Sequence, residues 1–168
     1  MCQYKSAIVL ANGDLIHAPE TESHENLILM AGLSDAGRSP AFVRVEYTGS
    51  DLADIGTYAL RVDQDWLPPW WDNAAAAETA RKLRAICERA IITEARACLI
   101  GGAWILAGAA SIEKVVSARI VLMRGSSQVG EMRESSQVGE MWESSQVGEM
   151  WESSQVGEMR ESSQVGEM

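Results

Sequence analysis

The chain has 168 residues, 46% of them apolar, and a formal charge of −10, which suits one ordinary domain of roughly 100 to 150 residues with something added. The acid is concentrated: residues 125–168 hold nine Glu and two Arg, giving −7 and leaving −3 for residues 1–124, a polarity that argues against a surface for nucleic-acid phosphates. Three cysteines with no CxxC spacing, no signal-peptide pattern and no apolar run of about 18 residues speak against a disulfide framework, Sec export and a membrane span, and the expected compartment is the cytoplasm.

In chain order, residues 5–10 (KSAIVL) and 14–18 (DLIHA) are β-prone runs around Ala11-Asn12-Gly13, a dipeptide signal for a type I′ hairpin. Thr21-Glu22-Ser23-His24-Glu25 precedes Leu27, Ile28, Met30 and Ala31 and predicts a capped short helix ending near Gly32. After a loop with Gly37 and Pro40, Phe42, Val43, Val45 and Tyr47 read as a strand, with Tyr58 to Val62 as its partner. Pro68-Pro69-Trp70-Trp71-Asp72 then introduces the best helix of the chain, from Asn73 to about Ile92, with Leu83, Ile86 and Ala90 on one stripe. The order β-β-α-β-β-α predicts a small α+β head over residues 1–96 with an antiparallel sheet. Residues 97–124, where Gly101-Gly102 and Gly108-Ala109-Ala110 interrupt apolar triplets, read as the degenerate first rungs of a solenoid.

Over residues 125–168 a nonapeptide, S-S-Q-V-G-E-M-(R/W)-E, is repeated five times, from Ser126, Ser135, Ser144, Ser153 and Ser162. Only its eighth position varies: Arg133, Trp142, Trp151, Arg160. A cryptic copy precedes it, with Ser117, Ile120, Met123 and Arg124 in register. A helix fails, because nine residues at 100° each make two and a half turns and throw alternate Val-Met pairs to opposite faces. A straight strand fails too, since Val and Met are three apart. A bend at the glycine turns both inward, and two units per coil give a β-solenoid of the nonapeptide kind; disorder is the alternative. The expected interior is Ile120, Met123, Val129, Met132, Val138, Met141, Val147, Met150, Val156, Met159, Val165 and Met168. Position eight forms a surface ladder, with Arg124, Trp142 and Arg160 stacked on one side and Arg133 and Trp151 on the other, a register suited to cation–π contact. The same register stacks Glu134 on Glu152 and Glu143 on Glu161, like charges that the arginines offset. Calcium is not expected, for the Asp ligands of calcium rolls are missing.

The Ser-Ser-Gln-Val-Gly-Glu-Met units, with Met1-Cys2 and Phe42-Val43-Arg44-Val45, resemble uncharacterised bacterial and phage-associated proteins carrying tandem SSQVGEM-type repeats behind a small N-terminal region. The resemblance implies no known activity. In architecture the array is similar to pentapeptide-repeat proteins, whose solenoids are interaction surfaces and sometimes acidic DNA mimics, although the five-residue motif is absent.

Chemistry is thinly supported. Cys2 would become an N-terminal nucleophile on removal of Met1, as in amidotransferase-type hydrolases, but it is followed by Gln3-Tyr4 where those have Gly-Ile. His17 and His24 could form with Cys2 a Cys–His pair or a metal site, the orienting acid or third ligand coming from Glu20, Glu22 or Glu25, though the spacing fits no motif. Cys87 reads as a buried small hydrophobe. Trp66, Trp70 and Trp71 could stack a ligand, with packing against the sheet the plainer reading. No catalytic, cofactor-binding or metal-ligating residue is assigned, and no enzyme is expected. The leading expectation is a self-associating scaffold, a homodimer or filament joined through an uncapped solenoid edge at Val156, Met159, Val165 and Met168, with its protein partner unknown. A Cys2 hydrolase and an acidic DNA mimic binding a basic protein are the alternatives.

Overall fold

The computed structural model describes residues 5–19, 21–34 and 41–167. Cys2, Glu20, Gly37, Pro40 and Met168 lie outside them. The chain divides into two compact units, Met1–Glu88 and Arg89–Met168.

The first unit is α+β. Strands β1 (Lys5–Leu10), β2 (Leu15–Ile16), β3 (Phe42–Thr48) and β4 (Ala59–Val62) form an antiparallel sheet in the order β2-β1-β3-β4. The β1–β2 turn differs from the I′ expectation. Only Gly13 of its loop has positive φ (81°), the Gly13 N–H donates to the Leu10 carbonyl at 2.8 Å, and Leu10 N–H reaches the Asp14 carbonyl at 3.0 Å. This is a three-residue loop closed by a left-handed glycine. Helix α1 (His24–Met30) is capped by Ser23, whose Oγ accepts from the Asn26 N–H. It ends at left-handed Gly32 with Leu33 N–H donating to the Ile28 carbonyl at 3.0 Å, the six-to-one bond of a Schellman cap. Its Leu27 and Ile28 pack with Ile8, Ala18 and Phe42 on one side of the sheet.

Strand alternation sends Ala7, Val9, Val43 and Val45 to the other side, all 2% exposed or less. Helix α2 (Asn73–Ala90) begins at Asp72, whose carboxylate accepts from the Ala75 N–H at 2.8 Å. Its fully buried residues are Thr79, Leu83 and Cys87; Ile86 and Ala90 of the expected Leu83-Ile86-Ala90 line are partly buried on the flank of the same face.

The second unit is a parallel β-solenoid of about five turns. Strands β5 (Ile91–Ile92), β7 (Ala103–Leu106), β9 (Arg119–Met123), β11 (Gln137–Met141) and β13 (Gln155–Met159) stack as one sheet. The other is formed by β6 (Ala95–Ile100), β8 (Ser111–Val116), β10 (Gln128–Arg133), β12 (Gln146–Met150) and β14 (Gln164–Glu167). In the exact repeats, stacked residues are eighteen apart, Val129 on Val147 and Val138 on Val156, so one coil is two units. The earlier coils are tighter: Ile112 pairs Val129, seventeen apart, and Arg96 pairs Ile112, sixteen apart.

Candidate functional site

The surface that repeats is the one able to present chemistry repeatedly, and three positions of the nonapeptide build it. The first is the glycine. Gly130, Gly139, Gly148 and Gly157 all have negative φ, so left-handed freedom is not what they supply. A Cβ on Gly148 would stand 2.6 Å from the Gly130 carbonyl oxygen, and one on Gly139 would stand 2.7 Å from that of Val121. Only a residue without a side chain lets consecutive coils approach this closely. The strand bends there, and Val129 and Met132, three apart, both turn inward at 2% and 0% exposure.

The second is the corner. Glu134, Glu143, Glu152 and Glu161 have φ of 59–61°, a left-handed region that usually takes glycine. Gly101, Gly108, Ser117 and Gly125 hold the same corner in the earlier coils. From the second unit on, the N–H of the second serine closes the turn on the preceding position-eight carbonyl, 3.3 Å from Ser145 to Trp142 and from Ser154 to Trp151. Glutamate compensates for its strain by reaching the preceding coil. The Glu152 carboxylate accepts the Glu134 N–H at 2.7 Å, Glu143 accepts from Arg124 Nε at 3.0 Å, and Glu134 accepts the Ser117 hydroxyl. In this way stacked glutamates are spent on donors.

The third is position eight. Arg133 Nε donates to Glu131, Trp142 Nε1 to Glu140, Trp151 Nε1 to Glu149 and Arg160 Nε to Glu158, all at 2.8–3.0 Å. Arg and Trp share a flat π-system and an N–H in the right place, so both suit this site although their volumes and charges differ. Eighteen residues apart, Arg133 Cζ lies 5.8 Å from the Trp151 ring centroid and Arg160 Cζ lies 5.0 Å from that of Trp142, within cation–π range. Along the outer face of β8, β10, β12 and β14 runs an open trough of about 440 Å³ lined by Gly130, Gly148 and Gly166 and by Gln128, Gln146 and Gln164.

Among the residues assigned to the interior, Ile120, Met123, Val129, Met132, Val138, Met141 and Val147 are buried. Met150, Val156 and Val165 are partly buried against the same cluster. Met159, on β13, is 44% exposed, because no strand covers β13 on its outer side among the described residues. The sequence pattern missed the interior serines: Ser127, Ser136 and Ser145 are fully buried. Of these, Ser136 bonds back to its own corner, its Oγ donating to the Arg133 carbonyl at 2.6 Å, whereas the Ser127 and Ser145 hydroxyls are buried without a hydrogen-bond partner among the described residues. Ala118, in the cryptic unit, fills the same position at 3% exposure and was the available signal.

The other sequence candidates are scattered. Cys87 is buried, which pushes its thiol up to about 12, and Cys98 is exposed. Trp70 and Trp71 meet edge to face, 6.0 Å between centroids, and Trp66 is 42% exposed. Glu22 accepts the Ser6 N–H and Glu25 the Ser23 hydroxyl. The carboxylates that do stand beside His24 are Glu46 and Asp63. No helix among the described residues is long and apolar enough to cross a membrane. No protein-family profile, curated protein or solved structure matches the chain.

Proposed function

We propose that the protein is a self-associating scaffold whose coil displays glutamine, glutamate and Arg/Trp ladders at the strand spacing of about 4.8 Å. The observation that carries this reading is the identity of stacked rungs. Gln lies on Gln, Val on Val and Glu on Glu through β10, β12 and β14, and likewise through β11 and β13. A surface built by stacking on itself is complementary to a second copy of itself. β13 and β14 are the outer strands of their sheets, and Val156, Met159 and Val165 on them are incompletely covered among the described residues. Outer strands of this kind are templates for further pairing.

Light scattering on the 168-residue chain over a concentration series tests it. Species heavier than the 18.3 kDa chain are expected, reverting to monomer in a Val156→Lys/Val165→Lys variant that keeps its β signal in circular dichroism. A wild-type chain monomeric at every concentration would overturn the reading.

A further inference from the structure

His24, the first residue of α1, is 2% exposed, and its two ring nitrogens face different groups. Nε2 lies 3.0 Å from the carbonyl oxygen of Val45, and Nδ1 lies 3.0 Å from Oδ2 of Asp63. A carbonyl oxygen only accepts, so Nε2 carries the hydrogen. In the neutral ring Nδ1 is then a lone pair, aimed at a carboxylate. Glu46 adds a second carboxylate, and ligand atoms of all three residues lie within 4.8 Å of one another.

Electron-pair donors converging on one point repel unless a cation stands among them, and a ring proton or a metal ion would meet that need. Two features favour the metal. A ring N–H anchored on a backbone carbonyl is how metal-ligating histidines are oriented, with the other nitrogen presented to the ion. Ligand atoms about 2.0–2.1 Å from an ion and about 90–110° apart are about 2.8–3.4 Å from each other, a range that includes the His24–Asp63 separation of 3.0 Å. The frame is also fixed. Glu46 sits in the paired stretch of β3 opposite Arg61, and the Asp63 N–H donates to the Arg44 carbonyl at 2.9 Å. The Asp63 side chain is 58% exposed, which gives an ion access and leaves positions for water.

We propose that His24, Glu46 and Asp63 bind a divalent transition-metal ion of the zinc type, through one imidazole nitrogen and two carboxylates. The ion would tie the start of α1 to β3 and to the end of β4. One nitrogen and two oxygens with open positions suit Zn²⁺ or Co²⁺ better than Ca²⁺, which prefers a fuller set of oxygens.

The test uses the full chain, titrated with Zn²⁺ by calorimetry and with Co²⁺ by visible absorption, while ¹⁵N spectra follow the histidine rings. The chain has two histidines, so His17→Gln assigns them. One ion per chain, a zinc-induced shift of His24 Nδ1, and at least tenfold weaker binding in Asp63→Asn and in Glu46→Gln are expected. Both substituted side chains reach solvent, and circular dichroism verifies that the variants fold. The proposal is overturned by absence of binding up to millimolar zinc, by undiminished binding in both variants, or by a His24 Nδ1 that is protonated and unmoved by zinc.

Discussion

Position eight of the repeat shows what a single residue must supply. Both of its occupants donate an N–H to the glutamate two residues earlier, and both present a flat face to the coil above or below. Trp142→Phe keeps the face under Arg160 and loses only the N–H to Glu140, whereas Trp142→Ala loses both. Urea midpoints should therefore rank wild type, then Phe, then Ala, with about 1 kcal/mol across the series. An Ala variant as stable as Phe would mean that the stacking contributes nothing. Cys87 makes a second prediction at this scale. Burial raises its thiol from the ordinary 9.0 to about 12, so the folded chain keeps the proton between those values while the unfolded chain loses it. Protons bound in excess by the native state make stability fall as pH rises. Unfolding should become easier from pH 9 towards 12, and below pH 9 this contribution should be flat. Under native conditions near neutrality, iodoacetamide should label Cys98 and spare Cys87 until denaturant is added, with peptide mass spectrometry as the readout.

Each coil element depends on the glycine that lets it bend. Gly148→Ala puts a methyl against the Gly130 carbonyl at 2.6 Å, with coils on both sides to resist a shift, and should lower stability by roughly 1–3 kcal/mol, as overpacking does elsewhere. Glu161→Gly acts the other way, because its left-handed φ of 59° suits glycine; a gain of up to about 1 kcal/mol is expected. One substitution adds a side chain where a carbonyl blocks it and the other removes one where the backbone resists it, and equal signs in thermal melts would refute the account of both positions.

The elements were legible in the sequence to the extent that they rest on local periodicity and caps. The α+β order of the head, Ser23 and Gly32 around α1, and the coil itself all derive from short-range patterns. The illegible part depends on approach between chain segments. The nonapeptide identifies the glycine as a bend but not that its reason is a carbonyl of the next coil. It gives Val and Met as apolar but hides the burial of Ser127, Ser136 and Ser145, which follows from the close stacking of coils at the corner. Asn12-Gly13 signals a hairpin, yet only the pairing of Leu10 with Asp14 decides the loop length. His24 meets Glu46 and Asp63 across some twenty and forty residues of chain, a meeting that no spacing rule anticipates.

At the scale of the whole molecule, the second unit is a quasi-one-dimensional stack in which each coil contacts its neighbours. Because units are identical except at position eight, removing nine residues moves everything downstream to the opposite sheet without changing the interior. This permits a clean comparison. Deleting 144–152 and deleting 153–161 give chains of equal length that differ at one residue, the one eighteen positions after Arg133: Arg in the first, Trp in the second. In the second chain Arg133 keeps its aromatic partner; in the first it faces another guanidinium, a like-charge pair across neighbouring strands. Both chains should fold to coils with the same β signal. The chain lacking 144–152 should unfold at lower urea, by an amount corresponding to about 1 kcal/mol. Added salt should narrow the gap by screening the repulsion and leave the aromatic contribution. Equal midpoints would show that the position-eight ladder is decoration on a coil held by its interior alone, and loss of the β signal in only one chain would refute the eighteen-residue turn.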